Sequence, residues 1–231
     1  MSQGVQEFTW DQLRSENDQL GRDGKEGKTY LAKVTATYNG RVCGKNVNAK
    51  RKTYAAVKTF KSTKSKNKIL SEATMQQKCA VLDASPNVLG VNLEEKYIVM
   101  EAMDSLPVET FKDGDMPDDL QYMMCALMAR MDEAGIMHGD MNALNVMLNK
   151  EGRPYMIDFG FAKKIDKKCL KKRGPHPNIS VTLWGLVRGF RRRHVGVDIM
   201  NACVKAKDPT SFIKRGESYL SKFDRKRRKR R

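Results

Sequence analysis

Ile136-Met137-His138-Gly139-Asp140-Met141-Asn142-Ala143-Leu144-Asn145 is a polar loop entered from an apolar pair, and Asp158-Phe159-Gly160 follows the apolar run Tyr155-Met156-Ile157. The first loop carries an aspartate and, five residues on, an asparagine; the second opens with another aspartate. Immediately upstream, Leu120, Met123, Met124, Leu127, Met128, Met131 and Ala134 recur at i, i+3, i+4, i+7, i+8, i+11 and i+14. That spacing predicts a helix over 118–134 with a single apolar face. Pro117 suits its first position, Asp118 and Asp119 complement the dipole there, and Gly135 is placed to end it. The methionines of this face read as core packing.

Towards the N-terminus the pattern changes from helical to alternating. Tyr30–Tyr38 and Thr53–Phe60 read as strands joined by a basic loop, Gly40–Lys52. Ile69, Leu70, Ala73 and Ala80 then fall at helical spacing over 66–82, with Glu72 among them, and a further strand pair ends at Lys96–Met100. Asp104–Pro117 reads as loop. Strands with one helix, followed by a mostly helical remainder, define an α+β chain in two lobes.

Lys58 ends the strand run Ala55-Ala56-Val57-Lys58, and Leu20 to Gly27 is glycine-rich, with Gly21, Gly24 and Gly27 spaced G-x-x-G-x-x-G. A plain polar turn fits those glycines equally well. Phosphoryl transfer uses a set of this kind: backbone N–H groups near phosphate oxygens, a lysine held by a helix glutamate, an aspartate to orient the acceptor hydroxyl, and an aspartate with an asparagine to hold Mg²⁺. In these residues and their order the chain resembles the protein-kinase superfamily, over roughly residues 18–190. Ala55–Lys58 matches V-A-I-K, His138 to Asn145 matches H-R-D-x-x-x-x-N with the Asp-to-Asn spacing intact, and D-F-G is complete. The resemblance implies a two-lobed kinase-like fold using ATP and Mg²⁺. It casts Asp140 as the catalytic aspartate and Lys58 with Glu72 as the phosphate-binding pair. Asn145 and Asp158 become the metal ligands, Gly21, Gly24 and Gly27 the phosphate loop, and Glu101 and Met103 the hinge positions facing adenine. Glu94, Glu95 and Glu101 lie on later strands or the hinge, which favours Glu72 as the partner of Lys58.

Three departures narrow the resemblance. Gly139 stands where many kinases have the arginine that pairs with a phosphorylated activation loop, and residues 161–179 contain no Ser, Thr or Tyr. Both features imply activity without phosphorylation of that loop. Asn142 stands where Ser/Thr kinases commonly have lysine; this resembles aminoglycoside phosphotransferases and the RIO-type and KEOPS kinases. Only 71 residues follow Gly160, with no A-P-E, so a shortened C-lobe is expected. Compact kinases of this form resemble the KEOPS kinase family and the minimal effector kinases of bacterial pathogens and large DNA viruses. The expected organisation is an N-terminal extension over 1–17, an N-lobe and hinge over 18–103, a shortened C-lobe over 104–223 and a basic tail over 224–231.

Composition sets the limits around this reading. The chain has 231 residues, 40% hydrophobic and 31% charged, which excludes collagen-like and wholly disordered classes. No run approaches the roughly 18 apolar residues of a membrane span, and Met1–Trp10 lacks the regions of a secretory signal. Net charge is +17, and removing the seven basic residues Arg225–Arg231 still leaves +10. Such a surface suits nucleic acid, an anionic membrane or an acidic protein, without choosing among them. Lys163, Lys164, Lys167, Lys168, Lys171, Lys172 and Arg173 crowd the segment after D-F-G, which fits an acidic or phosphorylated substrate, a nucleic-acid contact, or simply a solvated loop. The last run also fits a nuclear localisation signal or an unstructured solubilising tail. Cys43, Cys79, Cys125, Cys169 and Cys203 are odd in number and far apart, so they read as reduced core thiols. The expected setting is intracellular, cytoplasmic or nuclear, in a host cell if the chain is viral or injected. Phosphoryl transfer to protein Ser or Thr leads; a small-molecule kinase and a binding-only pseudokinase or nucleic-acid scaffold are the alternatives.

Overall fold

The computed structural model describes residues 19–20, 26–42, 45–103, 105–107, 114–140 and 142–229. Two compact units separate among them. Residues up to Ala73 with Asn87–Met103 form the first, and Thr74–Pro86 with the residues after Asp104 form the second.

In the first unit, β1 (Gly27–Val42) and β2 (Lys45–Phe60) make a long antiparallel hairpin in continuous register from Gly27↔Phe60 to Val42↔Lys45. The basic segment 40–52, expected as a loop, is therefore strand in its described part. A two-stranded ladder needs only backbone N–H and C=O groups, so polar and charged side chains do not forbid it. α1 (Lys66–Val81) follows, then β3 (Val88–Asn92) and β4 (Tyr97–Glu101), giving the sheet order β1-β2-β4-β3.

Alternation along β2 divides the unit's core between two faces. Ala55 and Val57 pack with Ala32, Tyr97 and Val99. Ala56 and Phe60 point the other way and pack with Ile98, Met100 and, from α1, Ile69 and Ala73. Lys58 shares the parity of Ala56 and Phe60, and so belongs to the face that α1 covers. Leu70, expected on the apolar face of α1, is 48% exposed; the buried stripe runs through Ile69 and Ala73 instead.

The second unit begins with β5 (Ser105–Pro107) and β6 (Gly114–Asp115), then α2 (Asp118–Glu133). α2 is the predicted methionine helix, and it is buried more widely than one stripe: Gln121, Cys125 and Ala126 are covered along with Leu120, Met123, Met124, Leu127, Met128 and Met131. Gln121 offers its Oε1 to the amides of Ile199 and Met200, satisfying donors at the start of a later helix from across the core. β7 (Ile136–Met137), β8 (Val146–Asn149), β9 (Pro154–Met156) and β10 (Lys163–Lys164) follow, with sheet order β5-β8-β9 and a separate β7-β10 pair.

α3 (Lys167–Arg173) occupies the basic segment expected as a loop after D-F-G. Asp166 Oδ1 accepts from the amide of Cys169 at 2.6 Å to cap it, and Gly174 follows its end. A π-helical turn, Ile179–Leu183, leads into α4 (Trp184–Arg191); β11 (Val195–Gly196), α5 (Asp198–Lys205) and α6 (Thr210–Lys229) complete the chain. α6 corrects the expectation of an unstructured tail, because its backbone stays helical through Lys229. The four described cysteines are free thiols, three of them buried. Burial pushes the Cys79 thiol up to about 12, which suits packing and not nucleophilic chemistry.

Candidate functional site

In the first unit Lys58 and Glu72 meet as expected. Lys58 Nζ donates to Glu72 Oε1 at 2.6 Å, and Glu72 is only 3% exposed. The second carboxylate oxygen accepts from Lys64 Nζ at 2.7 Å. Lys64 is itself buried and also bonds Glu26. Glu72 is thus held by two ammonium groups, which offsets its desolvation. Lys64 escaped the sequence reading because nothing in a lysine-rich turn marks one lysine as buried. Both ammonium groups also lie over the Phe60 ring, at 5.3 Å for Lys58 and 4.5 Å for Lys64.

The remaining expectations in this unit fare differently. Gly21 and Gly24 lie outside the described residues. Gly27 opens β1 opposite Phe60, where a side-chain carbon would come within 1.8 Å of the Thr59 carbonyl oxygen. Close strand packing is reason enough for that glycine, with no nucleotide required. Glu101 ends β4; its amide donates to the Asn87 carbonyl at 2.8 Å and its carboxylate accepts from Asn87 Nδ2 at 2.8 Å. Met103 lies two residues further on, outside any helix or strand.

In the second unit the two loops that opened the reading are bonded together. Asn145 Nδ2 donates to Asp140 Oδ2 at 2.8 Å, and the Ile157 amide donates to the Asn145 carbonyl at 2.9 Å. Asn142 Oδ1 accepts from the Leu144 amide at 3.1 Å, capping the 3₁₀ turn Ala143–Asn145 that presents Asn145. The asparagine at this position therefore has a local structural task. His138 is fully buried between the loops, its ring nitrogens 3.0 Å from the Asp140 carbonyl and 2.9 Å from that of Ile157. Burial holds this imidazole below its ordinary range, against the opposing pull of both carbonyls and of Asp158 and Asp140. Phe159 packs edge-on against it, with ring centroids 4.9 Å apart.

Two backbone positions carry the strain of this arrangement. Gly139 has φ +80°, and a side-chain carbon there would lie 2.5 Å from the Phe161 carbonyl oxygen. The loop accepts only glycine at the position where many kinases carry arginine. Asp158 sits in the left-handed region at φ 61°, unusual outside glycine, asparagine and aspartate, and its Oδ1 accepts from the Gly160 amide at 3.3 Å.

Beneath the loops lies a polar cluster with no signal in the sequence. Asn178 is buried; its Oδ1 accepts from the His138 amide at 3.0 Å, and its Nδ2 donates to Asp132 Oδ1 at 2.7 Å and to the Ile136 carbonyl at 2.8 Å. Burial pushes the Asp132 carboxyl up to about 7, with the Asn178 hydrogen bonds opposing the rise.

Among the described residues no group of three or more His, Cys, Asp or Glu could hold a metal. Mg²⁺ is commonly bound through one or two carboxylates while phosphates and waters complete its shell. Asp158 supplies a carboxylate and, with its amide nitrogen committed to Asp140, Asn145 has its carbonyl oxygen to offer. The donor set fits. Among the described residues no helix is long and apolar enough to cross a membrane.

A β-rich N-terminal part, a helical C-terminal part and these two interlocked loops define a protein-kinase-like fold. The RIO domain matches residues 25–171, and the chain belongs to that family of atypical protein kinases. It is similar to the probable serine/threonine-protein kinase BUD32 homolog of Archaeoglobus fulgidus, 35% identical over 77 residues, which are 33% of this chain and 37% of that protein. It is also similar to the serine/threonine-protein kinase rio2 of Schizosaccharomyces pombe, 31% identical over 62 residues, 27% of this chain and 18% of that one. The probable serine/threonine-protein kinase PknB of Lactococcus lactis is 26% identical over 127 residues, half of this chain and a fifth of that protein. The matches thus cover 18% to 37% of the length of these relatives.

Proposed function

We propose that this chain is an atypical kinase that transfers the γ-phosphoryl group of ATP to Ser or Thr of a protein, with Mg²⁺. The observation that carries the reading is the Asp140–Asn145 hydrogen bond at 2.8 Å, tied by His138 to the Ile157 carbonyl just before D-F-G. In this reading Asp140 accepts the proton of the acceptor hydroxyl as it attacks, and Asn145 holds its carboxylate in line. Lys58, oriented by Glu72, would neutralise nucleotide phosphates, while Asp158 and the side-chain oxygen of Asn145 would hold the cation. Bound Mg²⁺ supplies charge neutralisation at the phosphates. Gly21 and Gly24 would line the phosphates, and the backbone at Glu101 and Met103 the adenine.

Independence from activation-loop phosphorylation is part of the proposal. Gly139 is demanded by its backbone, and residues 161–179 offer no hydroxyl to modify. The exposed lysines of α3 suit an acidic or already phosphorylated substrate. Reduced thiols favour an intracellular setting. Incubation with labelled ATP, comparing native protein with Asp140→Ala, tests the reading; label transfer to the chain or to an acidic protein should vanish in the variant. Equal transfer by both would refute it, and lost activity after phosphatase treatment would refute the regulatory part.

A further inference from the structure

We propose that Asp132 and His176 are positioning residues for the His138–Asp140 turn, the charge state of Asp132 being felt through the hydrogen bonds of Asn178 by the backbone that carries Asp140. The proposal rests on the kinase reading only for the role of Asp140; the coupling itself is a matter of hydrogen bonds.

Asn178 is the relay. Its two amide hydrogens go to Asp132 Oδ1 and the Ile136 carbonyl, and its oxygen accepts from the His138 amide and from Thr182 Oγ1 at 3.2 Å. A primary amide has two donors and room for two acceptor contacts, so the side chain is saturated and cannot rotate without breaking a buried bond. Its own backbone amide also donates to Asp132 Oδ1, at 2.9 Å. One oxygen of Asp132 therefore fixes Asn178 at two points, and Asn178 fixes the amide of the residue whose ring contacts the Asp140 carbonyl.

The other oxygen is the sensor. Asp132 Oδ2 faces His176 Nδ1 at 3.7 Å, and among the described residues neither buried atom has a hydrogen-bond partner. The Asp132 side chain is 5% exposed and that of His176 30%, so protons reach the pair through the histidine. His176 is thus the polar ring that faces Asp132 Oδ2. The surrounding charge is sparse. Arg130, on α2, is turned to Glu217, Glu133 is exposed, and Asp208 lies close enough to His176 for the two to interact electrostatically. Asn178 and Thr182 bring no charge. Burial places the Asp132 titration near neutrality. Ionised, its Oδ1 accepts charge-assisted bonds from Asn178, roughly twice as strong as neutral ones; protonated, it holds the relay more loosely. The active arrangement of the turn is thus favoured on the alkaline side of the transition.

The test follows the His138 amide by ¹H–¹⁵N correlation between pH 5.5 and 8.5, alongside kcat and KM for ATP, in native protein, Asp132→Asn and His176→Gln. Asp132→Asn keeps the acceptor oxygen but cannot ionise. In the native protein the His138 amide should titrate, and kcat should rise several-fold over the same interval with KM unchanged. Asp132→Asn should abolish that titration and hold kcat at the native low-pH level. His176→Gln should shift the midpoint, because the group facing Asp132 Oδ2 changes. An amide that does not titrate, or one that titrates equally in Asp132→Asn, overturns the proposal. A titrating amide in a chain that turns over no ATP at any pH upholds the coupling and instead removes the kinase reading.

Discussion

Lys58 and Lys64 share the two oxygens of Glu72, and that division separates chemistry from stability. Lys58→Met leaves Glu72 neutralised by Lys64, so the variant should unfold cooperatively near the native denaturant midpoint while losing phosphoryl transfer. Lys58→Met with Lys64→Met leaves a buried carboxylate alone, at a cost of about 3–5 kcal/mol. Urea melts of single and double variants distinguish the two; a double variant as stable as the native chain would refute the arrangement. At Gly139 the backbone decides. Gly139→Ala meets both a left-handed φ and the Phe161 carbonyl, so a loss of roughly 1–3 kcal/mol is expected, with turnover falling too. Restoring the kinase arginine there should be no better, since the obstacle is the first side-chain carbon; native-like melting and turnover of Gly139→Arg would show otherwise.

Elements were legible in proportion to how far their apolar residues repeat. α2 was read with its ends correct to a residue because seven apolar positions and both terminal signals agree. α3 and the outer part of the β1–β2 hairpin were missed for the same physical reason: charged and polar residues dominate them, and their few apolar residues are too sparse to set a period. Asp166 before α3 and Gly174-Pro175 after it are the residues that bound the helix. α6 divides in a similar way. Leu220 is buried, with Tyr219 and Phe223 packed beside it, while the basic residues Arg225–Arg231 follow this apolar stretch. Deleting Arg225–Arg231 should therefore leave the melting temperature and ATP turnover unchanged, and weaken binding to a polyanion such as heparin. A drop in melting temperature of several degrees would mean that the last turns of α6 are packed.

Across the whole molecule, Asp132 makes a measurable contribution to the pH dependence of stability. Its folded value is about 7 against an ordinary 3.8, so the unfolded chain ionises first. The stability owed to this site is complete below the unfolded value and is lost as pH rises to about 7. Asp132→Asn cannot ionise, so between these limits its stability should fall less than that of the native chain; parallel curves from chemical denaturation at successive pH values would contradict the assignment. Sequence alone determined the α+β order and the helix carrying the methionines; Lys58, Glu72, Asp140, Asn145 and Asp158 were singled out by their resemblance to kinase motifs. The fold could be read because strand parity and helical period place side chains on faces. The tertiary structure alone decided that Lys64 is the second partner of Glu72, that Gly139 is sterically required, and that Asp132, Asn178 and His176 lie beneath the His138–Asp140 turn. Asn178 stands 46 residues from Asp132 and 40 from His138. Contacts made across such distances arise from chain reversal and burial, which no local period encodes.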